Sequence, residues 1–514
     1  MSATHVWIRS FADALTDLGL EPGEAERIAA ETSAQAQESG LGLQELFGPS
    51  EPYARAVVGA LHAPIAAPEP GGGSATTSLP GAVLLSLNEV GKRYGRQRVF
   101  SGLNLTLRAG EVAAVVGANG CGKSTLLKIC AGLIRASAGR VARCRRIGYV
   151  PQDGRLLGLL TPHEHFELFG AASGVGRSRA QSTGEHLATR LSWRPDRRLC
   201  VDRLSGGTKQ KLNLVLGELH SPDLLLLDEP YQGFDQGTYL DFWQQVHQWR
   251  DAGDRLGDSP AARTGSGRPH RRSERTRLSP RRRPAMSAMW VIAKLSLRQV
   301  ARRRGVVLLL IALPLSFYLV RRDLQGQSIR FLALGLGWAV STVTLFASTS
   351  ARWVDRRLCV AGFRPGQLLG GRVLAMVLCG LVLAGADGLL VWFAQDVGRQ
   401  WAVILLLVTT VLIATPLGAL VAAFVPRELE GALALLTVMA IQMLANPDGT
   451  TAKVLPFWST RELGTYAING TGSEYLIRGL THFGVTWLLL AGGAALVTFY
   501  RLRLIRLPAP SSSR

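Results

Sequence analysis

The sequence predicts a multidomain chain: a small all-α domain, an α/β domain built on a phosphate-binding loop, and an all-α transmembrane domain of about six helices. Three observations carry this. Apolar residues recur at helical spacing in residues 1–62. The stretch GANGCGKST, Gly117 to Thr125, lies between the apolar run Val112–Val116 and the helix-forming run Leu126–Ile129. From Gly305 onward, apolar runs of about twenty residues dominate. The expected boundaries are 1–62 (helical accessory domain), 63–82 (linker), 83–254 (nucleotide-binding domain), 255–285 (Arg-rich segment) and 286–514 (membrane domain).

In the first part, Ile8, Phe11, Leu15 and Leu18 share a helix face, and Gly19 stops it. A second helix is expected from Pro22 to about Gln37, and a third from near Glu51, carrying Tyr53, Ala54, Val57, Val58 and Leu61. No catalytic constellation stands here. The start MSATHVWIRSF has no apolar core of signal-peptide length, so no cleaved signal is expected. Residues 63–82, rich in Pro, Gly, Ser and Thr, read as a flexible linker.

The phosphate loop has a definite chemistry. Gly117, Gly120 and Gly122 let backbone N–H groups turn inward around a polyphosphate, and the following helix adds partial positive charge at its N-terminus. Lys123 is placed to reach the β- and γ-phosphates, and Ser124 to offer its hydroxyl to Mg2+. Asn119, Cys121 and Thr125 complete the loop that would hold ATP. Farther on, Leu224 to Leu227 read as a buried parallel strand ending in Asp228 and Glu229. Asp228 can hold Mg2+ through water, and Glu229 is the candidate general base that orients the attacking water.

With these in place, residues 83–254 resemble the ATPase domain of ABC transporters, whose features occur here in the family's order. The resemblance implies that Tyr94 stacks on adenine. It implies that Gln152, in IGYVPQD, touches Mg2+ and couples to the membrane helices. The family signature is found in RLSGGTKQKL, where Ser205, Gly206 and Gly207 open a helix and would grip a γ-phosphate. Thr208 replaces the family's usual Gln, a peripheral change. Asp235 matches the loop that bridges two such domains. In the family that γ-phosphate belongs to the other ATPase domain. One signature and one phosphate loop per chain therefore imply a second copy, or a homologous half-transporter, as partner. His163 and His165, in PHEHF, lack other metal-ligand candidates nearby and read as a solvated pair.

The pattern then breaks. The family continues with a helix, present as TYLDFWQQVHQWRDAG, then an apolar strand ending in a His near the γ-phosphate. Between Arg255 and Pro284 there is no Val, Ile or Phe; His270 lies late and His247 falls in the preceding helix. A back-translation of DRLGDSPAARTGSGRP, moved one base on, reads TALVTHLLHELDRVD, which is the missing strand, Thr-His and helix. This stretch therefore reads as a one-base frameshift near codons 250–255 joining an ATPase gene to a permease gene. The alternative is a genuine basic linker touching anionic lipid.

The net charge of +21 raises nucleic acid or an anionic membrane as a partner. Ten Arg, one Asp and one Glu between Arg255 and Arg283 supply +8 of it, and much of the rest flanks apolar segments. A nucleic-acid ATPase is contradicted by six apolar spans, expected near 305–320, 330–349, 373–394, 402–425, 429–446 and 481–500. Arg352, Arg356, Arg357, Arg364 and Arg372 between the second and third spans, and Arg501, Arg503 and Arg506 after the last, place both termini inside. LSLRQVARRR reads as an amphipathic helix on the inner membrane surface. Loop 351–372 would face the ATPase, with Arg364 or its neighbours near Gln152, and 447–480 would lie outside. Asp387 is an acid within a span and a functional candidate. The architecture resembles six-helix permeases of type-2 ABC exporters, and N-terminal LQELFGPSEPYARAV resembles helical modules of the HAAS type. The six cysteines, without paired or metal-ligand spacing, fit a reducing compartment. The expected function is ATP-driven export of a lipid, peptide or drug-like substrate across a bacterial inner membrane. The alternative is a membrane protein that binds nucleotide but is defective in hydrolysis.

Overall fold

The computed structural model describes residues 3–39, 43–44, 49–61, 82–117, 120–152, 154–230, 285–324, 326–446, 449–505 and 507–510. Of these, residues 3–61 fall in one compact unit, and residues 82–230 and 285–510 in another. Asn119, Asp235, His247, His270, Arg506, the linker and the Arg-rich segment up to Pro284 lie outside the described residues.

The first unit holds helices α1 (Ala3–Asp17), α2 (Pro22–Ser39) and α3 (Ser50–Leu61). Trp7, Phe11 and Leu15 form the buried stripe of α1, and Ala25, Ala29, Ala54 and Val58 close on it. Phe11 stacks tilted on Tyr53 at 5.1 Å. Leu18, expected on this face, is exposed, because the chain turns at Gly19 with φ 96°.

The second unit begins with β1 (Val83–Tyr94) and β2 (Gln97–Arg108), an antiparallel pair extended by β3 (Ala138–Arg143) into a sheet ordered β2-β1-β3. Helix α4 (Lys123–Cys130) follows the phosphate loop, and β4 (Ile147–Val150) pairs in parallel with β5 (Leu224–Leu227). Leu85, Leu87, Val90, Leu126, Ile129, Ile147 and Leu226 form their common core. One expected strand differs. Val112–Val116 is assigned no strand, and Val116 is 86% exposed. An apolar strand leading into a parallel sheet needs a partner ladder to bury it. None pairs with it among the described residues.

Helix α5 (Pro162–Ala172) begins in a capping box: the Glu164 carboxylate accepts from the Thr161 N–H at 2.9 Å, Thr161 Oγ1 accepts from the Glu164 N–H, and Pro162 sits at the first helical position. It packs on α6 (Arg177–Arg190), and α7 (Gly206–Glu218) follows. The two histidines on α5 are buried, not solvated. His163 Nε2 meets Glu185 at 2.7 Å; His165 accepts from the Leu157 N–H at 3.1 Å and bonds the Thr161 carbonyl at 2.9 Å. Burial moves the His165 pKa from 6.5 down to about 4, so it is neutral at neutral pH.

The membrane-forming part starts with α8 (Ala285–Arg302), which bends by 82° into α9 (Arg304–Val320). Then come α10 (Gln327–Ala361), α11 (Pro365–Ala394), α12 (Gln400–Phe424), α13 (Glu428–Leu444), α14 (Thr450–Val454), α15 (Trp458–Asn469) and α16 (Ser473–Leu502). Among the described residues, four helices (α10, α11, α12 and α16) are long and apolar enough to cross a membrane, or five if the bent pair is one span. The expected span 429–446 falls on α13, whose 17 residues reach only about 25 Å against a hydrocarbon core of about 30 Å. The expected span 305–320 is the second arm of the bent pair. α10 and α12 form the buried centre, whereas α11 and α16 expose Val382, Leu389, Leu488, Leu489 and Leu496, as lipid-facing helices do. The stretch 351–372, expected as a loop, is mostly helical, because α10 runs on past its apolar part. Segment 447–480 contains the two short helices α14 and α15.

Neutral His165 predicts an acid response. Its pKa is higher in the unfolded chain, so the unfolded state takes up the proton first as pH falls. Stability should drop between pH 6.5 and about 4, by about 3 kcal/mol in all. Hydrogen exchange in α5 across a pH series would show it, and His165→Gln should flatten that part of the profile.

Candidate functional site

The site lies where the parallel strands β4 and β5 end, the usual opening of such sheets. Val150 is followed by Gln152 and Leu227 by Asp228 and Glu229, so adjacent strands deliver these side chains to one edge. The Asp228 N–H donates to the Val150 carbonyl at 2.9 Å, holding the two ends together.

Across this edge comes the phosphate loop. Gly117, Gly120 and Gly122 have φ of 151°, 81° and 106°, a region that costs most residues about 1–2 kcal/mol. A Cβ at Gly122 would meet Val99 Cγ1 at 2.5 Å, so the loop also needs glycine there for space. The first full turn of α4 closes with Leu126 N–H to the Gly122 carbonyl at 2.9 Å. Lys123 Nζ donates to the Gly117 carbonyl at 2.6 Å, which folds the lysine over its own loop. Ser124 Oγ donates to Asp228 Oδ1 at 2.9 Å, across 104 residues of sequence. Gln152 Nε2 donates to Glu229 Oε2 at 3.0 Å. Glu229 has φ 47°, a strained value for a non-glycine residue and a mark of functional positions. Cys121 is exposed and Thr125 partly buried, both at the start of α4. Tyr94 ends β1 with 53% of its surface exposed and Lys92 Nζ 4.7 Å from its ring centroid.

These residues suit a magnesium nucleotide. The loop's glycines make a cradle for phosphates, Lys123 supplies a cation, and a hydroxyl bonded to a buried carboxylate is the hard-oxygen pair Mg2+ takes. Among the described residues no cluster of His, Cys, Asp and Glu offers a separate metal site.

The signature stretch forms its own turn. Ser205 caps α7, accepting from the Thr208 N–H at 3.2 Å, and its Oγ lies 2.8 Å from Thr208 Oγ1. Gly206 and Gly207 thus sit at the N-terminus of α7, as expected. Thr208 takes part in the cap. This role was legible only as the Ser-x-x-Thr spacing.

The sequence analysis missed Asn213. It is 1% exposed on α7; its Nδ2 donates to the Gly154 carbonyl at 2.8 Å, and it receives Arg357 from α10. Arg357 Nη1 bonds Asn213 Oδ1, Nη2 donates to the Asn213 carbonyl at 2.7 Å, and the guanidinium lies 5.1 Å from the Phe169 ring. Of stretch 351–372, Arg357 meets Asn213, which in turn bonds Gly154, two residues after Gln152. Trp353 adds a contact with Arg155 at 4.4 Å.

The basic helix α8 also finds the nucleotide-binding part. Lys294 donates to Glu167 at 2.8 Å; Arg298 and Arg302 donate to Glu164 at 2.8 and 2.6 Å. These spacings of four residues put three cations on one face. Burial alone would raise the Glu164 pKa, but hydrogen bonds from Arg302, Thr161 and Arg298 hold it below the ordinary range. Asp387 is buried in α11, and its Oδ2 has no hydrogen-bond partner among the described residues.

Comparison with known proteins gives the same picture for the nucleotide-binding part. The ABC transporter family profile matches residues 100–232. The zinc import ATP-binding protein ZnuC of Vibrio cholerae is 36% identical over 33% of this chain and 64% of its own length. ZnuC 2 of Aliivibrio fischeri is 33% identical over 33% and 68% respectively. The daunorubicin resistance ATP-binding protein DrrA3 of Streptomyces coeruleorubidus is 33% identical over 30% of this chain and 53% of its own length. The chain thus spans between about half and two thirds of these relatives.

Arg357→Met would leave the buried Asn213 Oδ1 without its donor. It should cost about 2–4 kcal/mol at this contact. Thermal unfolding of the purified protein would report it, and Phe169→Leu, which removes only the ring contact, should cost less.

Proposed function

The chain belongs to the ABC transporter family, and from that premise we propose that it is a half-transporter that couples ATP hydrolysis to export through its own membrane helices. The single observation that carries the reading is the joined edge of the site, with Ser124 on Asp228 at 2.9 Å and Gln152 on Glu229 at 3.0 Å. Lys123 binds the β- and γ-phosphates, and the N–H groups of Asn119 to Thr125 cradle them. Ser124, Gln152 and Asp228 hold Mg2+. The ion, when bound, neutralises charge on the phosphates. Tyr94 stacks on the adenine. Glu229 orients and deprotonates the attacking water. Ser205, Gly206 and Gly207 grip the γ-phosphate held by a second chain, and Asp235 bridges the two ATPase domains. Two copies therefore make two sites.

On this reading the membrane domain carries six spans, with α9 and α13, of 17 residues each, as the short members, and lies in a bacterial inner membrane with both termini inside. Relatives whose names specify export or resistance (Nod factor export, daunorubicin and linearmycin resistance) support export of a lipid, peptide or drug-like substrate. The α5–α8 and Arg357–Asn213 contacts support coupling.

A second reading is favoured by one pair of observations. The sequence of 255–285 carries no apolar run ending in a His, and Val112–Val116 has no ladder among the described residues. On this reading the chain binds nucleotide without turnover, and a frameshift joined two genes. An in-frame genomic read through codons 250–290 would sink a sequencing artefact.

Nucleotide binding and phosphate release, measured together on the protein in liposomes, decide between the readings. The first expects turnover in the unaltered protein and an approximately 10²-fold loss in Glu229→Gln with ATP still bound. Lys123→Ala should lose binding itself. Bound ATP without turnover in the unaltered protein would establish the second reading.

A further inference from the structure

The stretch after α16 does not hang free of the nucleotide-binding part. The Ile505 N–H donates to the Gly132 carbonyl at 2.9 Å, and the Arg143 N–H donates to the Pro508 carbonyl at 2.9 Å. Leu507 packs on the core of β1, α4, β4 and β5. A Cβ at Gly132 would meet the Ile505 carbonyl oxygen at 3.0 Å, so residue 132 is small where this stretch passes. Gly132, with φ 74°, lies two residues beyond the end of α4. Arg143 completes the groove: its Nη2 donates to the Ala131 carbonyl at 3.3 Å, placing a cation at the C-terminus of α4. The two ends of α4 therefore have different occupants. The phosphate loop is at its N-terminus; Ile505, Leu507 and Pro508 are near its C-terminus.

The other end of this stretch is also anchored. Arg501, in the last turn of α16, lies 3.5 Å from Asp355 of α10, which also pairs with Arg372 of α11. Arg501 is thus anchored among the membrane helices, and Ile505, four residues on, at the far end of the ATP-loop helix.

We infer that Gly132 and Arg143 form a docking site for Ile505, Leu507 and Pro508 of this chain, and that this site forms a second coupling route from the phosphate loop to the membrane helices. This inference rests on the reading of the loop as an ATP site. The first route, through Gln152, Gly154, Asn213 and Arg357, enters α10. The second enters α16. Binding of phosphate at one end of α4 shifts an eight-residue rigid helix, and the main-chain bonds at its other end carry the shift to α16. Main-chain bonds give the segment its position, and Leu507 gives it an apolar anchor, as in strand addition to a sheet edge.

Hydrogen exchange on the full-length protein, with and without MgATP, tests this with two variants. Leu507→Asp puts a charge in the apolar contact, and Ile505→Pro removes the N–H that reaches Gly132. Both should raise exchange in residues 131–143 by about 5-fold or more, whereas Leu507→Met should leave it unchanged. In the unaltered protein MgATP should change exchange in residues 494–502 at least about 2-fold. The two variants should lose that change while α4 still responds to nucleotide. Unaltered exchange in residues 131–143 would overturn the docking site. A retained nucleotide response at 494–502 in both variants would overturn the coupling route. Absence of any MgATP response in α4 of the unaltered protein would instead overturn the ATP-site reading, leaving the docking arm to stand or fall by its own measurement.

Discussion

The guanidinium of Arg357 is the contact on which the arrangement of the second unit depends. It leaves the charged end of α10, enters the nucleotide-binding part and is buried there against Asn213 and Phe169. A buried cation is tolerated only when its donors are met. Asn213 meets them with a side-chain and a main-chain oxygen, and spends its own donors on Gly154. Asn213 also belongs to α7, the helix that the signature turn opens. One residue thus links the membrane arm, the segment after Gln152 and the signature helix. A shift of any one must be felt by the other two, or leave a buried oxygen bare.

The length of α10 makes this possible. Its 35 residues span about 50 Å, and a bilayer core takes about 30 Å of that. The remainder is the arm that carries Trp353 and Arg357. α8 fastens α5 as well, with three cations four residues apart meeting Glu164 and Glu167. Part of that attraction is screened by solvent, because Arg298 and Lys294 stay partly exposed. The buried carboxylates are the sharper constraint, since burying a carboxylate without a partner is costly.

Much of the nucleotide site was legible because its parts are local. Gly117, Gly120 and Gly122 are read from spacing, and the structure gives each of them the positive φ that only glycine takes easily. The signature cap is equally local, with donor and acceptor three residues apart. Asn213 was not legible, because a buried amide inside a helix has no spacing that marks it. The histidines of α5 illustrate the reverse. Their polarity suggested solvent, but the capping box aims α5 so that His165 faces the Thr161 and Leu157 backbone groups, and burial follows from packing. The short α13 and the bent α8–α9 pair show what hydropathy leaves out: it sums apolar character and is blind to where a helix ends or turns.

Sequence alone determined the class of chemistry here, since a glycine loop, a Lys-Ser pair and an Asp-Glu after four leucines can be recognised from neighbours in the chain. Only the tertiary structure decided what those groups touch. Ser124 reaches Asp228 across 104 residues and Gln152 reaches Glu229 across 77, because β4 and β5 lie side by side and end together. The choice of Arg357 among the cations near it was likewise made by burial, which admits one guanidinium where two oxygens and a ring await it. Such choices depend on energies summed over distant parts of the chain, and no local pattern records them.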